Sequence, residues 1–185
     1  MHKKISLLLL AALFALTPAL ADTNYLVQKD GPVCPAGQGG GIMKITSPEF
    51  KPNELIPSKF TCAGKDINPA LVIEDIPKEA KSLALIMDDP DAPMGTWVHW
   101  VVFDIPATTS RIEENSAPGK LGFGTGGEKY YSGPCPPSGT HHYFFKLYAL
   151  DKMLNLSGRV DKARLEEAMS GHILARAELV GLYKR

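Results

Sequence analysis

The chain has 185 residues, 44% of them hydrophobic, and 20 basic residues balance 20 acidic ones to a formal net charge of zero. That is enough apolar material for one domain with its own core. It excludes the basic surplus of a nucleic-acid binder, and no polybasic run is present to hold the protein on anionic lipid.

Residues 1–21 read as a secretion signal. Lys3 and Lys4 supply a positive start, Ile5 to Leu16 an apolar core, and Ala19-Leu20-Ala21 a small-residue cleavage site. The apolar run is too short to span a bilayer, and Thr17-Pro18 interrupts it. Cleavage after Ala21 leaves 164 residues and, without Lys3 and Lys4, 18 basic against 20 acidic residues, a formal charge of −2. The expected location is therefore periplasmic or secreted, and no integral membrane segment is expected. Residues 22–41 contain Gly31-Pro32, Pro35-Ala36-Gly37 and Gly39-Gly40-Gly41, a composition with little to bury, and read as a flexible leader.

The folded domain is expected over residues 42–185. Segments rich in branched and aromatic residues recur between turn signals at Ile42 to Thr46, Pro69 to Ile73, Leu83 to Met87, Trp97 to Ile105, Tyr143 to Leu150 and Ala175 to Tyr183. The fold class is thus mainly β. Simple alternation puts Val98, Trp100 and Val102 on one face and Trp97, His99, Val101, Phe103 and Ile105 on the other, so both faces of this strand are covered. Helical periodicity is confined to Asp161 to Leu174, with Leu165, Ala168, Met169, His172 and Ile173 on one stripe and Asp161 as N-cap.

Two rigid polar clusters punctuate these strands. The first is Asp89-Pro90-Asp91-Ala92-Pro93, followed by His99 inside an apolar run; the second is Gly133 to Tyr143 (GPCPPSGTHHY). Asp and Pro are common in turns for purely local reasons. A lone imidazole in an apolar strand, however, needs a partner, and a carboxylate at the end of the preceding strand is a candidate. His141 and Tyr143, two apart on a strand, project from one face, whereas His142 between them points to the other. Imidazoles, a phenol and a Gly/Pro loop together favour phosphate or carboxylate oxygens.

Both clusters resemble the phosphatidylethanolamine-binding protein family, with detail most similar to its bacterial Raf kinase inhibitor-like branch. The resemblance covers roughly Ile42 to Arg185 and includes FTCAGKDINPAL (Phe60 to Leu71), Leu83 to Phe103, GPCPPSG, HYFFKLYALD and GHILARAELVGLYKR. It implies two antiparallel sheets in a sandwich-like arrangement with one or two peripheral helices. It also implies an anion site made by Asp89, His99, Gly133, Pro136, Pro137, His141 and Tyr143, with Trp97 and Asp91 at the rim or behind it. Gly122 to Tyr131 departs from the pattern by lacking the Asn-Asp-aromatic-Gly lead-in, and the chain lacks the extra carboxy-terminal helix of eukaryotic relatives.

The three cysteines, Cys34, Cys62 and Cys135, allow three pairings or none. Cys62 and Cys135 fall inside the matched motifs and are the expected disulfide of an exported protein. Cys34 is left over and could link two chains as a homodimer. The expected function is binding of a small phosphate-bearing or carboxylate ligand, with modulation of a partner enzyme as a further expectation. One alternative is a kinase or protease inhibitor with a vestigial pocket, and another is a hydrolase using the Asp/His cluster. Against the hydrolase, the sequence has no HExxH, no HxH on a strand and no G-x-S-x-G around Ser138. No metal, cofactor or nucleic acid is expected, and an enzyme is not the reading.

Overall fold

The computed structural model describes residues 42–185; the signal and leader readings, and Cys34, lie outside the described residues. Eight strands and one α-helix follow in the order β1 (Lys44–Thr46), β2 (Leu71–Glu74), β3 (Ser82–Asp89), β4 (Trp97–Pro106), β5 (Arg111–Ile112), β6 (Lys120–Leu121), β7 (Thr140–Leu150), α1 (Lys162–Met169) and β8 (Ile173–Lys184). A single 3₁₀ turn, Ser58–Phe60, precedes β2. The strands form a three-stranded sheet, β1-β2-β5, and a five-stranded sheet, β6-β4-β3-β7-β8, every ladder antiparallel. The mainly β class is the one expected from the strand pattern, and the two antiparallel sheets are those that the family resemblance implies.

Between the sheets lies the larger core, with Ile45, Leu71, Ile73 and Ile112 meeting Leu83, Leu85, Met87, Trp100, Phe145 and Leu147. On the other face of the large sheet, Ala84, Ile86, Val101 and Phe103 pack against Leu165 and Met169 of α1. Strand β3 is therefore buried along its whole length, which explains its near-continuous apolar run. Its last two residues are acidic and point to opposite layers: Asp89 turns toward the inter-sheet side, and Asp88 toward the α1 side. Asp88 is stapled there by Lys146 and Lys162.

Two sequence expectations are corrected. The helix is shorter than Asp161 to Leu174: Asp161 does cap it, accepting the Arg164 N–H at 3.1 Å, but Gly171 at φ 76° ends it and Ile173 and Leu174 open β8. Simple alternation also fails in β4. The ladder to β3 slips between Asp88↔Val98 and Met87↔Trp100, leaving His99 as an extra residue, and slips again at Asp104, whose φ is 54°. Val98 therefore joins the α1-side cluster while Trp100 joins the inter-sheet core. A β-bulge re-aims every side chain beyond it.

Candidate functional site

The first bulge puts His99 on the inter-sheet side, where its ring meets Tyr143 of β7 edge-on at 5.3 Å between centroids. His141, two residues before Tyr143, donates from Nδ1 to Asp89 Oδ2 at 2.8 Å. The pairing of β3 with both β4 and β7 thus gathers the acid, two imidazoles and a phenol at one end of the large sheet. Asp89 is 3% exposed, His99 5%, His141 7% and Tyr143 fully buried, so only a small group reaching in from the sheet end could touch them.

Asp89 is not the partner of His99. The His99 ring bonds Ser132 instead, Nδ1 donating to its carbonyl at 2.7 Å, while the Ser132 N–H donates to the His99 carbonyl at 3.1 Å. This corrects the expectation of an Asp89–His99 pair; the bulge turns His99 toward the 131–133 segment and leaves Asp89 to His141. With its Nδ1 proton committed, neutral His99 carries a lone pair on Nε2. Burial lowers its pKa below the ordinary 6.5, opposed by the Ser132 hydrogen bond and by the charges of Asp89, Glu128 and Asp66.

A histidine with a depressed native pKa is protonated more readily when unfolded, so the fold loses stability as pH falls from about 6.5 through the lower native value, and no further below it. Thermal melts at pH 7.5 and 5.5 should therefore show an acid loss in wild type that is smaller in His99→Gln; an equal loss in both would refute the assignment.

The Tyr143 hydroxyl is buried without a well-aligned hydrogen bond, and the polar groups acting on it are the Asp89 carboxylate and the Cys135 backbone. Its pKa is raised, first by burial and then by the charge of Asp89, which keeps the phenol a proton donor. A buried donor without a well-aligned acceptor is uncommon, and a ligand oxygen would supply one.

The other expected residues are distributed around this cluster. Asp91 is exposed at the rim and accepts from the His142 N–H at 2.9 Å and from its Nδ1 at 2.7 Å, which lowers the Asp91 pKa. His142 is thus outside the buried cluster yet ties the Asp89–Pro93 turn to β7. Trp97, partly exposed, opens β4 opposite Asp89. Pro136 is buried and Pro137 exposed. The Gly133 N–H, read from sequence as a ligand donor, is already spent on Asp66 Oδ1 at 2.6 Å. A Cβ at Gly133 would lie 2.5 Å from the Phe60 carbonyl oxygen, so only glycine fits. Alanine there should destabilise the domain by about 1–3 kcal/mol through overpacking, measurable by urea denaturation.

Sequence reasoning passed over Ser132 and Asp66. A carbonyl partner leaves no residue-type signal, but Asp66 sits in a polar loop beside a matched cysteine, which was a usable cue. Cys62 and Cys135 are bonded, with Cα atoms 5.5 Å apart, fastening the Asp66 loop to the Gly-Pro loop.

Two open clefts lie elsewhere. One of 220 Å³ is bounded by Phe123, Arg159 and Lys162, the other of 280 Å³ by Asp66, Trp100 and Tyr130; neither is lined by Asp89, His99, His141 or Tyr143. Among the described residues no helix is long and apolar enough to cross a membrane.

Two antiparallel sheets with acid, imidazole and phenol gathered at one sheet end define a mainly β protein of the small-ligand-binding kind. A family model described as phosphatidylethanolamine-binding protein matches residues 46–184, and the chain belongs to that family. It is 48% identical over 150 residues to a UPF0098 protein of Methanothermobacter thermautotrophicus, covering 77% of this chain and 99% of that protein. A UPF0098 protein of Pyrococcus horikoshii is 47% identical over 160 residues, covering 80% of this chain and 81% of the relative. Among solved structures, a phosphatidylethanolamine-binding protein homologue of Chlamydia trachomatis superposes with a TM-score of 0.76 at 43% identity, covering 78% of this chain and 98% of that one. YbcL of Escherichia coli, described as a member of the mammalian family, superposes at 0.73 with 28% identity, covering 78% and 99%.

Proposed function

We propose that this protein is an exported binding protein, without catalytic turnover, whose Asp89, His99, His141 and Tyr143 cluster receives a phosphate-bearing or carboxylate group of a small ligand. The observation that carries this reading is the buried Tyr143 hydroxyl, which lacks a well-aligned hydrogen bond, gathered beside the His141–Asp89 pair and the His99 ring. Its phenol donates to a ligand oxygen; His99 does so once Nε2 takes up a proton. Asp89 holds the His141 ring in one orientation and balances positive charge there. The signal-like first 21 residues and the disulfide support export into an oxidising compartment.

Anion binding on this scheme takes up protons. Affinity should be flat below the depressed pKa of free His99, weaken as pH rises from there through the higher pKa of the complex, and level off beyond it. Calorimetric titration of phosphoethanolamine in two buffers of different ionisation enthalpy measures that uptake directly. His99→Ala should weaken binding about tenfold to a hundredfold, the loss of a charge-assisted hydrogen bond. His172→Ala, just before β8 and at the opposite end of the large sheet from the cluster, should leave binding unchanged. Equal affinity in wild type and His99→Ala, or no saturable heat with phosphate, phosphoethanolamine or acetate, would overturn the reading.

A further inference from the structure

The 280 Å³ cleft is separate from the imidazole cluster and has a different chemistry. Its floor includes Trp100 and Tyr131, perpendicular rings with centroids 5.5 Å apart, and Tyr130 stands on one wall with 63% of its surface exposed. Asp66, Asn115 and Ser116 supply the polar rim, and no lysine, arginine or histidine lines the cleft.

Both walls are fixed by polar clamps. The Asn68 amide donates to the Glu113 carbonyl at 3.0 Å while its Oδ1 accepts the Ser116 N–H at 2.9 Å, holding one side. On the other, Tyr131 donates to the Phe60 carbonyl at 2.8 Å and Gly133 to Asp66 Oδ1. Asp66 and Asn115 both hold left-handed backbone, at φ 56° and 53°. Among the described residues the Asp66 carboxylate forms no ion pair. Its charge reaches Tyr131, whose pKa is raised first by burial and then by Asp66.

We infer that this cleft is a second ligand site, taking a small organic ammonium cation whose charge pairs with Asp66 and whose apolar body packs on Tyr130 and the Trp100–Tyr131 floor. A carboxylate without a counter-cation attracts positive charge, an open tyrosine face favours the same sign, and a preformed apolar floor rewards alkyl groups on nitrogen. A strongly hydrated metal ion would gain nothing from the aromatic floor. The site stands whether or not the imidazole cluster binds anions.

The test uses choline and its neutral carbon isostere, dimethylbutanol, followed by NMR of the two tryptophan indole signals and assigned with Trp97→Phe. Choline should move the Trp100 signal saturably, leave Trp97 and the His141 ring in place, and bind about tenfold more tightly than the isostere. Asp66→Asn, which keeps an oxygen for the Gly133 N–H, should weaken choline about tenfold, and Tyr130→Ala about threefold. Equal binding of the isostere, an unmoved Trp100, or wild-type choline affinity in both variants would overturn the inference. If Asp66→Asn does not fold, Tyr130→Ala still decides, because its exposed ring carries no core packing.

Discussion

Reducing the Cys62–Cys135 bond, or replacing both cysteines with serine, should lower the melting temperature by about 10 °C. The bond closes a separation of 73 residues, for which loop-closure entropy predicts about 4 kcal/mol, an upper figure because denatured chains retain some structure. The native loops it joins are independently fastened: the Cys62 N–H donates to the Pro134 carbonyl at 3.2 Å, Gly133 to Asp66, and Tyr131 to Phe60. The reduced protein should therefore melt earlier yet keep its ligand affinity at 25 °C. Differential scanning calorimetry with and without reductant, together with thiol counting in denaturant, checks both parts. A melting temperature indifferent to reductant would refute the stabilisation, and a lost affinity would show that the bond itself shapes the site.

Replacing Lys146 and Lys162 together by methionine should cost about 3–5 kcal/mol, more than Asp88→Asn at about 1–2 kcal/mol. The asymmetry follows from burial. Asp88 is fully buried, whereas the lysine side chains are 28% and 24% exposed. Lys146 Nζ lies 2.8 Å from Oδ1 as an ion-pair contact without hydrogen-bond alignment, and bonds Oδ2 at 3.0 Å; Lys162 reaches Oδ2 at 2.5 Å. Removing the cations strands a carboxylate in the interior, while removing the carboxylate charge lets two long side chains swing to water. Guanidinium unfolding of the two variants compares them. Equal costs, or a greater cost for Asp88→Asn, would show that the lysines are held as tightly as the acid.

The strand pattern of this chain was legible because apolar runs of β-branched and aromatic residues bury on both faces, and no helical period competes with them. Leu83 to Met87 and Trp97 to Ile105 fell within β3 and β4 with ends out by a residue or two. The helix was overextended because His172 and Ile173 continue a helical stripe that Gly171 has already broken. The very short strands β5 and β6 gave no periodic signal at two residues each.

Sequence by itself determined the β class, the helix cap at Asp161, and the types of side chain that meet at the end of the large sheet, while the family motifs made Cys62–Cys135 the expected disulfide. It could do so because periodicity, capping and residue type are local or compositional properties. Only the tertiary structure decided the partners. A one-residue bulge at His99 is invisible to a period of two, yet it turns the imidazole from Asp89 to the Ser132 carbonyl and gives the carboxylate to His141. Likewise Asp66 looks like an ordinary loop acid until the disulfide and the Gly133 contact bring its loop beside Trp100 and Tyr131. Pairings across 30 to 70 residues depend on register and close approach, and neither is written in the residues that make them.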